Sequence, residues 1–282
     1  DNNAFTNLMA RENLQMAAAA VDDLRANSPD AYDRLVAVTN LDPAEPEEWR
    51  RIAEAMYVPF DPVEKVHLQD DTFLDQEPWD FENTPREKYP LLLHFHPLVI
   101  YRHQVIKQPD VMLVAFLLGN EFTDEEKRRI YEYYDPLTTG DSSLSECIQA
   151  LVACQAGEEE VAYQYLSDSA VVDLADRNHN VRDGLHLAAC GGTWMAVVNG
   201  FAGLRDYDGN ICFDPTLPPH WRRLRFRLLV RGSRLEVDLR QGEAIYRLLE
   251  GGRLRFRHRD TEVELAPGEE RRLPFPRLRL PY

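Results

Sequence analysis

Thr138-Thr139-Gly140-Asp141-Ser142-Ser143-Leu144-Ser145-Glu146 runs without a break into Cys147-Ile148-Gln149-Ala150-Leu151-Val152-Ala153-Cys154. A polar turn bearing one glycine feeds an apolar, helix-periodic run, which predicts a helix over 143–156 ending at Gly157. Ser143 and Glu146 have the spacing of a capping box. The same grammar repeats on both sides, with helices expected at 123–134, 158–169 and 193–204 joined by short polar links such as Gly119-Asn120-Glu121. Residues 91–118 read as one or two helices interrupted near Pro109. The first 26 residues carry Phe5, Leu8, Met9, Met16, Ala17, Ala20, Val21 and Leu24 at helical spacing, and a further helix is expected over 45–56. These signals describe an all-α domain of antiparallel neighbours. Only 58–90 breaks the pattern, with Pro59, Pro62, Pro78, Pro85 and Pro90. Its Phe73, Trp79 and Phe81 argue for an ordered, functional loop.

After Asp206 the period changes from helical to alternating. Leu224, Phe226 and Leu228 share one face and Arg223, Arg225 and Arg227 the other. Further short runs at 234–239, 244–249, 254–258 and 262–265 are separated by Gly232-Ser233, Gln241-Gly242, Gly251-Gly252 and Asp260. That predicts a small antiparallel β domain over 206–282. Charge changes with it. From Trp221 onward there are 16 Arg, no Lys and 9 acidic residues, against a net charge of −16 for all 282 residues. The Arg alternate with apolar residues and acids, as on the wet face of a sheet, and the acidic whole speaks against a nucleic-acid partner.

No apolar run approaches the roughly 18 residues of a membrane span, and no charged-then-apolar leader is seen. The start at Asp1, without Met, reads as a cut or processing site. Cys147, Cys154, Cys190 and Cys212 lack metal spacing. The first three sit in apolar stretches and are expected to be buried free thiols in a reducing cytoplasm. His94, His96 and His103 invite a metal reading, but no second carboxylate or cysteine set completes a familiar pattern.

Three stretches offer chemistry. The amides and hydroxyls at Ser142-Ser143, before a helix start, suit an anion. Gly191-Gly192-Thr193 is expected to open the next helix, with His186 nearby as a charge-assisted donor. Lys107-Gln108 offers donors suited to sugar hydroxyls.

Together these strings resemble glycoside hydrolase family 65. The resemblance rests on Asp1-Asn2-Asn3-Ala4-Phe5-Thr6-Asn7, Val105-Ile106-Lys107-Gln108-Pro109-Asp110-Val111, Tyr134-Asp135-Pro136-Leu137 through Ser145, and Gly184-Leu185-His186 through Gly191-Gly192-Thr193-Trp194, in the family's order. It implies that residues 1–205 are the C-terminal half of an (α/α)6 barrel and 206–282 its small β domain. It further implies phosphorolysis of an α-glucosidic disaccharide with inversion, giving β-glucose 1-phosphate. Lys107 and Gln108 would hold the glucosyl unit; Ser142, Ser143, His186, Gly191, Gly192 and Thr193 would surround phosphate, which serves as co-substrate with no other cofactor.

Two positions depart from the family pattern: Gly140 stands where His is frequent, and Pro109 replaces a small residue. The family's general acid, a Glu, is expected upstream of residue 1. The chain is therefore expected to work only beside the N-terminal portion of the same enzyme, within a cytoplasmic homodimer, and to be inactive alone. The alternatives are an inverting hydrolase on the same fold, with Asp141 as the apparent base, and a non-catalytic sugar-binding module. The 58–90 loop is expected at the acceptor side or a dimer contact.

Overall fold

Asn3 accepts the Thr6 N–H at 2.9 Å and so caps α1, Ala4–Asn27. The chain is described by a computed structural model covering residues 1–177 and 181–276. It forms two compact units, Asp1–Trp79 with Arg102–Gln104, and Asp80–Tyr101 with Val105–Tyr282.

In the first unit α1 packs against α2, Pro29–Thr39, and α3, Glu45–Glu54. Helix α2 was not expected. Its signals are a proline at the first helical position and Asn40 in the left-handed region at φ 56°. None of its residues is buried, so it carries no strong apolar stripe. The face α1 buries is Ala4, Leu8, Ala18 and Val21, while Met16 of the expected stripe is 63% exposed. Strand β1, Phe60–Asp61, pairs with β2, Val66–His67, and β3, Glu77–Pro78, lies parallel to β4, His103–Gln104. His103 meets the Trp79 ring edge-on at 5.0 Å.

The second unit corrects the expectation for 91–118. Leu91–Leu93 is a single 3-10 turn, α4 is the one-turn Pro97–Ile100, and only α5, Asp110–Leu117, is a helix of two turns. Pro90, Pro97 and Pro109 each fix φ and restrict the residue before them, which breaks the run into pieces. Helix α6, Asp124–Tyr134, does carry a capping box, formed by Thr123 and Glu126. Helices α7, Ser145–Ala156, and α8, Glu159–Ala170, follow as expected, with Gly157 at φ 84° closing α7. Helix α7 is the centre of the packing, touching α5, α6, α8 and α9, Leu187–Met195.

Two expected helix starts move. The Ser143–Glu146 box does not form, because α7 begins at Ser145 and Glu146 turns inward to Arg177 at 3.0 Å. Gly191-Gly192 lies inside α9, which begins at Leu187 and continues as a π-helix, Ala196–Phe201. Gly192 is there for contact: a β-carbon would lie 2.9 Å from Cys147 Cβ and would collide with Cys147 Sγ. Cys147 and Cys154 are buried as expected, but Cys190 is exposed on the outer face of α9. No helix among the described residues is long and apolar enough to cross a membrane.

Beyond α9 come β5, Leu204–Arg205, β6, Cys212–Phe213, β7, Arg223–Val230, β8, Ser233–Arg240, β9, Glu243–Glu250, β10, Leu254–His258, β11, Thr261–Leu265, and β12, Glu270–Pro274. They form sheets of order β12-β9-β8-β7 and β11-β10-β6-β5, in which β6 and β10 run parallel. Residues 277–282 of the expected β domain lie outside the described residues. Leu235, Val237, Tyr246, Phe213, Phe256 and Val263 share one core. On the outer face Arg223 grips Asp238 with two bonds of 2.7 Å, and Arg227 and Arg247 hold Glu236 at 3.0 and 3.1 Å. The alternating arginines thus neutralise carboxylates across the sheet, and the bond to Arg223 holds Asp238 below the usual carboxylate range.

His258 is buried in this core. The Tyr246 hydroxyl lies 2.8 Å from its Nδ1, and its Nε2 lies 3.0 Å from the Pro274 carbonyl oxygen. Burial pushes its pKa below the ordinary 6.5. Below 6.5 the unfolded chain therefore takes a proton that the folded chain refuses. The stability present above 6.5 is lost as the pH falls toward the folded value. The melting temperature should drop between about pH 7 and about pH 5, and a His258→Gln variant should lose part of that dependence.

Candidate oxyanion cleft

Two irregular segments of the second unit are joined to make the site. Ile106 donates its N–H to the Leu137 carbonyl at 2.8 Å and accepts from the Thr139 N–H at 2.9 Å. One residue on, the Ser145 hydroxyl donates to the Lys107 carbonyl at 2.5 Å. Lys107 is thus fixed through its backbone at the start of α7 while its side chain stays exposed. The far end of the seam hangs on Asp135, which accepts from Gln149 Nε2 at 2.8 Å and from the Tyr165 hydroxyl at 3.0 Å. Burial raises the Asp135 pKa against the opposing pull of these bonds.

Asp141 ties the turn to a third segment. Its Oδ2 accepts the Leu91 N–H at 2.9 Å, and its Oδ1 accepts the Thr139 hydroxyl at 2.5 Å. Ser142 is buried and its Oγ accepts the Leu144 N–H at 3.3 Å. His186 arrives at the start of α9. Its Nδ1 lies 2.5 Å from Asp173 Oδ1 and its backbone N–H donates to Asp173 Oδ2 at 2.9 Å. The bond to the imidazole holds Asp173 below the usual carboxylate range.

The result is a cleft of about 490 Å³ lined by Lys107, Asp141, Ser142, Ser143, Arg182, Asp183 and His186, with Pro90, Leu92 and Leu93 as apolar wall. Four of the eight residues singled out in the sequence therefore meet here: Lys107, Ser142, Ser143 and His186. Gln108, Gly191, Gly192 and Thr193 are not among its lining residues. Gln108 is exposed beside Lys107, and the Thr193 hydroxyl lies 2.7 Å from that of Ser169 on α8. Arg182, Asp183 and Asp173 were not foreseen. Asp173 precedes His186 by thirteen residues, a spacing with no motif behind it.

A neighbouring cavity of about 670 Å³ shares Pro90, Leu93, Asp141 and Ser142 with the cleft and adds Tyr89, His94, Gly140, Glu146 and Arg177. Gly140 stands at φ 66°, and an added β-carbon would meet nothing within 4 Å. The wall is open at this position. Glu146 is nearly buried; desolvation raises its pKa, and its ion pair with Arg177 pulls the other way.

An ammonium, a guanidinium, an imidazole and two hydroxyls around one cleft are donors spread over several directions, which suits a small tetrahedral oxyanion. Asp141 spends both carboxylate oxygens on holding the turn. Its geometry is that of a brace.

The second unit joins a helical part to a small β domain, and its cleft is built from the loops between the helices. The profile of the glycosyl hydrolase family 65 central catalytic domain matches residues 1–195, and that of the family's C-terminal domain matches residues 204–265. The chain belongs to glycosyl hydrolase family 65. It is 42% identical over 275 residues to an alpha,alpha-trehalose phosphorylase of Geobacillus stearothermophilus, covering 98% of this chain and 36% of that protein. Against the maltose phosphorylase of Bacillus subtilis the identity is 32%, over 97% of this chain and 35% of the relative. Among solved structures, a putative kojibiose phosphorylase from the human microbiome superposes with a TM-score of 0.85 at 26% identity, covering 97% of this chain and 37% of that one. The chain spans about a third of the length of each.

Proposed function

We propose that this chain is the phosphate-binding portion of an inverting disaccharide phosphorylase. The observation that carries the reading is the convergence of Lys107, Ser142, Ser143 and His186 on one cleft from three separate segments. In the proposed reaction a phosphate oxygen attacks the anomeric carbon of an α-glucoside from the face opposite the bond that breaks. The leaving oxygen takes a proton from a general acid supplied outside these 282 residues, and β-glucose 1-phosphate forms. Lys107 and Gln108 would orient the glucosyl unit. Ser142, Ser143 and His186 would hold phosphate, with Gly191, Gly192 and Thr193 shaping α9 behind it. No cofactor beyond phosphate enters the scheme.

The same reading makes residues 1–205 part of an (α/α)6 barrel and 206–282 its β domain, working with the N-terminal portion of the enzyme in a cytoplasmic homodimer. A hydrolase would need a free carboxylate base for water, and the bracing of Asp141 by Thr139 and Leu91 argues against that residue.

The higher identity to the trehalose phosphorylase than to the maltose enzyme favours α,α-trehalose as substrate. The enzyme containing this chain should consume trehalose faster than kojibiose or maltose, and only with inorganic phosphate present. Equal turnover in phosphate-free buffer would sink the proposal.

A further inference from the structure

We propose that Asp173 is a positioning residue for phosphate capture, holding His186 in one orientation at the wall of the cleft. The inference rests on the phosphorolytic reading above and names a group that reading does not use. Asp173 lies beyond the end of α8 and is not among the residues lining the cleft, yet it takes both the ring and the peptide N–H of His186, at 2.5 and 2.9 Å. A carboxylate gripping side chain and backbone of the same residue fixes the ring plane relative to the start of α9. The pair is largely covered, with side-chain exposures of 12% for Asp173 and 22% for His186, so it differs from a solvated surface pair.

Among the described residues, the charged groups that line the cleft with His186 are Lys107, Arg182, Asp141 and Asp183. Asp141 is committed to Thr139 and Leu91, and Asp183 lies beside Arg182, whose Nε is 3.8 Å from its carboxylate. Among the described residues, Asp173 is the carboxylate in direct contact with the imidazole. It keeps a proton on Nδ1 and holds the ring in the one orientation that an incoming phosphate meets.

Asp173→Asn in the enzyme containing this chain tests the idea. The amide keeps the shape and can still accept the backbone N–H, but it removes the charge. The KM for phosphate should rise about tenfold while the KM for disaccharide changes less than about twofold. In a His186→Gln background the same substitution should add less than about twofold. An unchanged phosphate KM in Asp173→Asn, with phosphate still required, overturns the positioning role and leaves phosphorolysis standing. Turnover that needs no phosphate overturns both. The unsubstituted enzyme gives an answer even if the variant does not fold. Nitrogen-15 NMR of labelled histidine should show the neutral His186 ring protonated on Nδ1, and the Nε2-protonated tautomer contradicts the proposal.

Discussion

Lys107→Ala is expected to lower kcat/KM for phosphorolysis by about a thousandfold while leaving the fold intact. The residue is held by its backbone: Ser145 donates to its carbonyl, and the neighbouring Ile106 is bonded on both sides to the 137–139 segment. None of those bonds involves the side chain, which is exposed on the cleft wall. Removing the ammonium therefore costs little stability, within about 0.5 kcal/mol. It takes away a cation that faces both the glucosyl unit and the attacking phosphate in the proposed reaction. Loss of a charged donor that acts as bond-breaking begins is worth about 3–4 kcal/mol, hence the thousandfold. Steady-state kinetics with saturating phosphate, beside a melting curve, separates the two effects. A variant with near-normal kcat/KM would remove Lys107 from the site.

Gly203→Ala should be the most damaging single methyl in the second unit. Gly203 is buried at φ 63°, and an added β-carbon would lie 2.8 Å from Asp214 N and closer still to the Asp214 carbonyl. Both obstacles are backbone, and the Asp214 N–H is bonded to the Gly203 carbonyl at 3.1 Å, so neither can retreat. The left-handed conformation costs roughly 1 kcal/mol for alanine, and the collision about 2 more. Thermal unfolding should shift down by roughly 6–12 °C. Gly232→Ala is the control: its φ is 76°, but the added carbon meets nothing within 4 Å. It should lose only the roughly 1 kcal/mol of conformational strain. Equal losses in the two variants would mean that the close approach at Gly203 is absent in solution.

The contrast between these glycines shows what a sequence can and cannot reveal. Alternation in Arg223 to Leu228 announces a strand with one wet face, because period and burial are both local. Helices α6 to α8 are legible for the same reason, and four consecutive motifs identify the family. The short α2 escapes because it buries none of its residues, and the 91–109 stretch misleads because its apolar residues are cut by prolines. The start of α9 differs from expectation because Gly191-Gly192 does not open the helix. The pair sits in mid-helix, where Gly192 accommodates Cys147, a contact spanning 45 residues that no periodicity encodes. The cleft is intermediate. Its Lys, Ser and His residues could be singled out by type and motif. The bonds that assemble them, Ile106 to Leu137, Asp141 to Leu91 and Asp173 to His186, join residues whose spacing carries no signal.

The identity of the first product tests the central claim most directly. Proton and phosphorus NMR should follow the enzyme containing this chain as it consumes α,α-trehalose in phosphate buffer. β-Glucose 1-phosphate and glucose should appear in equal amounts, with no reaction when phosphate is left out. Release of two free glucose molecules without phosphate, or a first-formed α-glucose 1-phosphate, would contradict that claim.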